Sequence, residues 1–338
     1  MVEDPIIARL LAYLPSDRAE AILNDSPLPE TDSGAVLFSD ISGFTPLTEA
    51  VIARSGPRRG GEQFTDHLNA VYDALITEVE RFRGSIVGFA GDAMVVWFVR
   101  DDGARAVTAA LNMQRAMRQF ASVALPDGET VSLGMKVGVS SGMVRRFQVG
   151  DDRIQCFDVI AGDVMERVSA CESAASRGEI TVDAETARRL GARLIVREWR
   201  RLLPGPAPEA VAVIEALHDE LLPRPRPTLS IPPGAADRLR PWLVPEIGRR
   251  IASGQEVFLT ELRPATALFT RFSGIDFERD ATAPGKLDAY VRWLQRIIAR
   301  LEGVLVQLTI GEKGSYFYAA WGAPIAHDDD TMRACTAA

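Results

Sequence analysis

The feature that most constrains how this chain can fold is an internal repeat. Three segments recur in the same order, and each falls on the same kind of predicted element. The pairs are LFSDISGF (37–44) with LFTRFSGI (268–275), RFRGSIV (81–87) with RLEGVLV (300–306), and RAVTAA (105–110) with RACTAA (333–338). Because self-similarity at a long spacing marks repeated structural units, the repeat predicts two related domains of one fold. The second copy is expected to be incomplete, since its last matching segment ends at Ala338.

Composition narrows the class of protein. A length of 338 residues fits two or three domains, and 47% apolar with 25% charged residues is typical of a chain with a sizeable core. A net charge of −8 without a basic run argues against binding nucleic acid or an anionic membrane. Three cysteines without CxxC spacing indicate a reducing compartment and no structural zinc site. With no apolar stretch of membrane-spanning length and an acidic start (MVEDP), the expected location is cytoplasmic.

Proline content and periodicity predict four segments. These are an N-terminal helical segment at 1–32, a first complete domain at 33–200, a proline-rich linker at 201–255 and the first half of a second domain at 256–338. Within the first domain, RSGPRRGGE (54–62) is predicted to be a loop before a long amphipathic helix.

Two aspartates occupy complementary positions in the first domain. Asp40 lies at the end of a predicted buried strand, and Asp92 lies at the tip of a predicted hairpin between SIVGFA (85–90) and AMVVWF (93–98). Neighbouring strands could bring the two carboxylates together, where they would repel each other unless a cation such as Mg²⁺ lay between them. Spacing alone equally allows Asp40 to cap a helix and Asp92 to be an ordinary turn residue.

The residues after Asp40 suit a phosphate. The loop Ser42-Gly43-Phe44-Thr45 is predicted to precede a helix, with Thr45 as its N-cap and Pro46 at its first position. Backbone N–H groups at a helix N-terminus form a cradle for phosphate oxygens. Lys136, on a predicted strand, could add a compact positive charge.

The strings LFSDISGFTPLTE and GFAGDAMVVWF strongly resemble the class III nucleotidyl cyclases, the adenylyl and guanylyl cyclases. The tandem arrangement is most similar to the bicarbonate-responsive soluble adenylyl cyclase branch. This resemblance implies an α/β (α+β) fold, in which a mixed, largely antiparallel sheet is flanked by helices in two related copies, the second incomplete. It also implies that large ATPase and helical-repeat regions can follow such a pair.

The resemblance further implies an activity, the conversion of ATP to 3′,5′-cyclic AMP and pyrophosphate. Asp40 and Asp92 would bind two divalent ions, Mg²⁺ or Mn²⁺, with help from the backbone carbonyl of Ile41. The loop Ser42, Gly43, Phe44 and Thr45 would hold the triphosphate, and Lys136 would face the phosphates. A second cyclase domain, in cis or in trans, would complete the site with transition-state residues.

Several positions depart from the family pattern. Arg271 replaces Asp40 in the second copy, which predicts one catalytic and one degenerate site. Met165 and Ser169 stand where a homodimeric cyclase would carry asparagine and arginine, and Gly88 stands where many relatives have lysine, which weakens the case for bicarbonate control. These departures leave two other hypotheses open: a degenerate pair that binds nucleotide and regulates a partner without turnover, and a purely structural dimerisation module.

Overall fold

A computed structural model describes residues 4–125, 127–202, 210–224, 226–254, 264–311 and 314–338. The helices are α1 (Pro5–Leu11), α2 (Ser16–Leu23), α3 (Phe44–Arg81), α4 (Ala104–Met117), α5 (Asp163–Ala174), α6 (Ala184–Leu190), α7 (Ala235–Leu239), α8 (Pro245–Ala252), α9 (Ala283–Arg300) and α10 (Asp330–Ala337). The strands are β1 (Thr31–Ser42), β2 (Ser85–Ala90), β3 (Ala93–Val99), β4 (Val123–Ala124), β5 (Thr130–Val131), β6 (Gly134–Val149), β7 (Phe157–Ala161), β8 (Ile180–Asp183), β9 (Leu194–Arg201), β10 (Ala210–Leu217), β11 (Thr266–Phe272), β12 (Val304–Thr309) and β13 (Ser315–Trp321).

The chain forms two compact units. The large-sheet unit comprises residues 32–144 and 163–227, and the small-sheet unit comprises residues 4–31, 145–162 and the described part of 228–338. Residues 145–162 therefore cluster with the small-sheet unit, although they lie inside the predicted 33–200 domain. The units are discontinuous in sequence because β6 is long and its second half pairs with β7.

The large-sheet unit has the strand order β2-β3-β1-β6-β8-β10-β9. Of the pairings described within this unit, β6–β8 is parallel and the others are antiparallel. Leu37 and Ile41 of β1 are buried against Leu75 of α3 and Met113 of α4, so alternate strand residues and one stripe of each helix form the core. The predicted mixed, largely antiparallel sheet flanked by helices is confirmed.

The small-sheet unit repeats the first part of this arrangement. Its sheet β11-β13-β12 has the same order and antiparallel pairing as β1-β3-β2, and α9 packs on it as α3 packs on the larger sheet. The turn between helix and strand is also repeated: Arg83 has φ 58° before Gly84, and Glu302 has φ 55° before Gly303. A Cβ on Gly303 would lie 2.3 Å from the Trp321 ring, so this close approach requires glycine.

The predicted loop at residues 54–62 is wrong. Helix α3 runs through it, and the only non-helical backbone inside α3 is at Gly56, with φ 77° and ψ 166°. Glycine adopts this conformation at little cost, so a single residue kinks the helix and the flanking turns continue. The glycine-rich composition indicated a break, but the break is one residue long.

The predicted linker at 201–255 is wrong for residues 210–217. They form β10, which pairs with β8 on one side and β9 on the other. The run Val211–Ile214 is buried, and a short apolar run between prolines is hard to tell from linker chemistry by sequence. Residues 203–209, 225 and 255 of the predicted linker lie outside the described residues.

Among the residues that the structure describes, none of the helices combines the length and the hydropathy needed to cross a bilayer.

Candidate functional site

The two predicted carboxylates lie together at one end of the β1–β3 pair. Asp40 pairs with Ala93 in the strand register, and the β2–β3 hairpin turns at Gly91 and Asp92. The backbone N–H of Ile41 donates to the carbonyl of Asp92 over 3.3 Å. The first turn of α3 has no side-chain cap, so Asp40 does not act as the capping acid that spacing alone allowed.

Negative charge is concentrated at this pair. Burial raises the pKa of the Asp92 carboxyl, its own backbone N–H opposes that shift, and the charge and hydrogen bond of Asp40 raise the pKa further. The positive charge of Lys136 lowers the pKa of Asp92. The pair therefore disfavours two ionised carboxylates in the absence of a cation.

Lys136 lies between two acids. Its Nζ is 3.4 Å from Oδ2 of Asp40 and 2.6 Å from Oε1 of Glu172 on α5. Burial alone would lower the pKa of Lys136, but the hydrogen bonds and charges of Glu172 and Asp40 outweigh it and raise the pKa. Sequence reasoning missed Glu172. The signal that could have found it is an acid among the buried residues Val168, Ala170 and Cys171 of α5.

The loop after Asp40 is held against the start of β6. Gly43 has φ 106° and is the N-cap of α3, so the helix begins at Phe44 and not after Thr45. A Cβ on Gly43 would lie 2.6 Å from the carbonyl oxygen of Ser132, and the Ser42 hydroxyl donates to the Gly134 carbonyl over 3.3 Å. The N–H groups of a first helical turn lack intrahelical acceptors, which leaves this loop suited to bind an anion.

The members of this loop differ in exposure. Ser42 and Thr45 are exposed, whereas the Phe44 ring is buried and packs on Phe64 and Tyr72. Phe44 can therefore offer a ligand its backbone N–H but not its side chain.

Tyr72 of α3 is a second residue that sequence reasoning missed. Its ring lies 6.4 Å from that of Phe44 and 5.3 Å from that of Phe89, centroid to centroid. The hydroxyl is buried and has no hydrogen-bond partner among the residues that the structure describes. Burial, followed by the charges of Asp92 and Asp40, raises the pKa of Tyr72 to about 12. No pattern in the sequence places this hydroxyl near the carboxylates, because the helix register alone does not show which neighbour a long side chain reaches.

The donor set fits a divalent ion that a substrate helps to bind. Mg²⁺ is commonly held by one or two carboxylates together with substrate phosphates, and Asp40 and Asp92 supply two carboxylates. The ammonium of Lys136 already lies beside Asp40 as a cation. No group of three or more His, Cys, Asp or Glu side chains that could hold a metal occurs in the described part of the chain.

The second copy has different residues at the equivalent strand ends. Arg271 pairs with Tyr316 as Asp40 pairs with Ala93, and this register puts Ser315 at the position of Asp92. The Arg271 guanidinium lies against the backbone of Gly314. The second copy therefore carries a cation and a hydroxyl where the first carries two carboxylates.

The other departures lie on β2 and α5. Gly88 is on β2, at the position where many relatives have lysine. A Cβ added at Gly88 would meet no described atom within 4 Å, so steric crowding does not explain why lysine is absent here. Met165 and Ser169 are half-buried on α5.

Comparison with known proteins shows similarity to nucleotidyl cyclases. Over 353 aligned positions the chain is 24% identical to human adenylate cyclase type 10, covering 95% of this chain and 21% of that protein. The rat protein of the same name is 28% identical over 187 residues, covering 53% of this chain and 11% of that protein. The chain thus spans about one fifth of the human relative.

Among solved structures, the chain matches the guanylyl cyclase Cya2 with a TM-score of 0.48 and 22% identity, over 57% of this chain and 97% of that one. The adenylyl cyclase CyaB from P. aeruginosa has a TM-score of 0.46 and 24% identity, over 56% of this chain and 97% of that one.

The profile of one family, described as the adenylate and guanylate cyclase catalytic domain, matches residues 27–201. This segment is just over half of the chain and contains Asp40, Asp92, Lys136 and Glu172. The chain therefore belongs to the adenylate and guanylate cyclase catalytic domain family.

Proposed function

We propose that this chain is the catalytic module of an adenylyl cyclase, which converts ATP to 3′,5′-cyclic AMP and pyrophosphate. The observation that carries the proposal is the placement of Asp40 and Asp92 side by side, with the Lys136 ammonium 3.4 Å from Asp40. ATP is preferred over GTP because the relative matched over 95% of the chain is named an adenylate cyclase.

In this proposal each group has one task. Asp40 and Asp92, with the backbone carbonyl of Ile41, hold two Mg²⁺ or Mn²⁺ ions, which when bound lower the pKa of the ribose 3′-hydroxyl and neutralise charge at the α-phosphorus. The backbone N–H groups of residues 42–45 bind the triphosphate. Lys136 neutralises phosphate charge and is oriented by Glu172, its closer partner.

A second domain completes the reaction in this proposal. Met165 and Ser169 carry neither an amide nor a guanidinium, so these two positions of α5 lack the donors expected for the transition state. We assign those donors to a second cyclase domain, supplied in cis or in trans. The repeated elements from β11 to α10 are the candidate for its first half.

The test is product formation by the purified chain. ATP or GTP is supplied with Mn²⁺ or Mg²⁺, and cyclic AMP and cyclic GMP are measured by mass spectrometry. Because this chain carries the candidate for only the first half of the second domain, we expect weak cyclic AMP formation from the wild type and a loss of at least ~100-fold in Asp40→Asn and in Asp92→Asn. Asp66→Asn, which removes an exposed carboxylate of α3, should retain wild-type activity. Equal product from the wild type and both site variants would refute the enzyme, and predominant cyclic GMP would refute the nucleotide assignment.

A second candidate function is nucleotide binding that regulates a partner without turnover. Arg271 and Ser315 at the second pair of strand ends, together with Gly88, favour it. Under this alternative, ATP with Mn²⁺ raises the thermal stability of the wild type, because a ligand that prefers the folded state stabilises it. The stabilisation is lost in Asp92→Asn, and no cyclic nucleotide forms in either protein.

A further inference from the structure

A cavity of about 410 Å³ lies in the large-sheet unit, and neither Asp40 nor Asp92 is among its lining residues. Its walls come from α4, the start of β6, the turn before β8, and β10. Leu133, Met135, Ile180 and Ile214 form a floor that is apolar and buried. The volume falls in the range of small-molecule sites, which combine an apolar body with a few polar groups.

The charged groups of this cavity are mainly cationic. Arg115, Arg118 and Arg177 line it, and Glu215 is the one acid among its lining residues. Arg115 is neutralised by Glu220. In the described part of the chain, neither Arg118 nor Arg177 has a carboxylate within 4.0 Å, and Arg177 donates to the Ser132 hydroxyl over 2.7 Å. Two guanidinium groups therefore stand at an apolar cavity without an anionic partner.

The cavity wall is also the support of the candidate active-site loop. Residues 132–135 face the cavity, whereas Ser42 donates to the Gly134 carbonyl and Gly43 lies against the Ser132 carbonyl. A Cβ on Gly134 would lie 1.9 Å from Nε of Arg177, so the Arg177 side chain covers this backbone directly. Lys136 follows two residues later on the same strand. An anion that draws the Arg177 side chain toward the cavity must change the contact between this side chain and the backbone of Gly134, whose carbonyl accepts the Ser42 hydrogen bond.

We propose that this cavity binds a small organic anion, an apolar body carrying a carboxylate or a phosphate, and that its occupancy adjusts the loop at residues 42–45. The anionic group pairs with Arg118 and Arg177, since a guanidinium recognises planar carboxylates and phosphates by paired hydrogen bonds. The apolar body lies on the floor. Binding of the anion stands independently of the proposed function, and only its effect on turnover rests on that function.

Binding is tested by calorimetric titration of the full chain with octyl phosphate, octanoate and neutral 1-octanol. We expect both anions to bind at least 10-fold more tightly than 1-octanol. The variant Arg118→Gln/Arg177→Gln should lower the affinity for both anions at least 10-fold and leave the affinity for 1-octanol unchanged. Arg58→Gln, which alters a guanidinium that is 95% exposed on α3, is the matched control and should bind like the wild type. Equal affinity for octyl phosphate and 1-octanol, or anion affinity unaffected by the double variant, would overturn the site.

Coupling to the loop is tested without any nucleotide, by hydrogen exchange. Saturating octyl phosphate should change the exchange of peptides covering residues 42–47 and 132–136 in the wild type but not in the double variant. Unchanged exchange at 42–47 with the cavity occupied would overturn the regulatory part. If the anions bind through Arg118 and Arg177 and shift exchange while no cyclic nucleotide forms, the proposed function fails and this inference stands.

Discussion

The two copies of the repeat share their elements and strand order but differ where each β-pair ends. In the first copy, Asp40 and Asp92 meet beside Lys136, and in the second the same register carries Arg271 and Ser315. The shared features are those that the fold requires, namely the apolar alternation and the glycine that lets helix and strand approach. The differing features are charged and polar side chains at the strand ends, which vary although the strand order and pairing stay the same.

The same contrast extends to the helix that covers each sheet. By the alignment of RFRGSIV with RLEGVLV, Tyr72 of α3 corresponds to Val291 of α9. Val291 is fully buried and apolar, whereas Tyr72 carries a buried hydroxyl without a partner in the described part of the chain. The first copy therefore keeps a buried polar group that costs stability near its two carboxylates.

The largest difference in stability between equivalent substitutions is expected at Gly43 and Gly274, the glycines at matching positions of the two loops. Gly43 and Gly274 both have positive φ, 106° and 95°, but only at Gly43 does a Cβ meet a neighbour, the Ser132 carbonyl at 2.6 Å. We expect Gly43→Ala to lower the free energy of unfolding by about 3 kcal/mol and Gly274→Ala by about 1 kcal/mol, the cost of the backbone conformation alone. Urea unfolding measures both, and equal losses would contradict this account of the loop.

The next effect concerns the cation of the first copy. Lys136→Met leaves the Glu172 carboxylate, whose side chain is 9% exposed, without its partner. We expect the free energy of unfolding to fall by about 2 kcal/mol, because a buried carboxylate without its cation is destabilising. The loss is less than for a fully buried pair because Lys136 itself is partly exposed. Adding Glu172→Gln to Lys136→Met should recover much of the loss in urea unfolding. A double variant as unstable as Lys136→Met would show that the pair is not the cause.

Removing the unpartnered hydroxyl makes the first copy more like the second. Tyr72→Phe keeps the ring between Phe44 and Phe89, and we expect it to raise the free energy of unfolding by about 1 kcal/mol, because a buried polar group without a partner is costly. Tyr290→Phe, at a ring of α9 that packs on Phe272 and Trp293, serves as the comparison and should change stability less. Loss of stability in Tyr72→Phe would mean that the hydroxyl is bonded in solution.

The smallest effect is the pH dependence of Asp92. A raised pKa means that the folded protein binds this proton more tightly than the unfolded chain does, so charged Asp92 destabilises the metal-free fold at pH 7. We expect Asp92→Asn to raise the free energy of unfolding at pH 7 by about 0.5 kcal/mol. One pK unit corresponds to about 1.4 kcal/mol, and solvent screening reduces the effect for a half-buried group. The gain should shrink as the pH falls through the raised pKa. Ser315→Ala, at the equivalent position, should show no such trend, and a pH-independent gain in Asp92→Asn would contradict the cause.

Much of the fold was predictable because it rests on local patterns. The repeat, the hairpin around Gly91-Asp92 and the mixed sheet follow from alternating apolar residues and turn chemistry. The errors fell where local composition misleads: the glycine-rich 54–62 segment is helical apart from Gly56, and 210–217 pairs in the sheet although prolines surround it. Pairing with β8 and β9 decided the second case and outweighed local propensity, whereas in the first case only Gly56 leaves the helical conformation.

The family, the repeat and the candidate pair of aspartates could be inferred from the sequence, because each is carried by residues close together in the chain. Three features became visible in the folded protein: the contact of Glu172 with Lys136, the burial of the Tyr72 hydroxyl near the carboxylates, and the placement of Arg118 and Arg177 at one cavity. These contacts join residues 20 to 60 positions apart, as the numbering of each pair shows. Long-range proximity is set by the packing of whole elements, which no local pattern encodes.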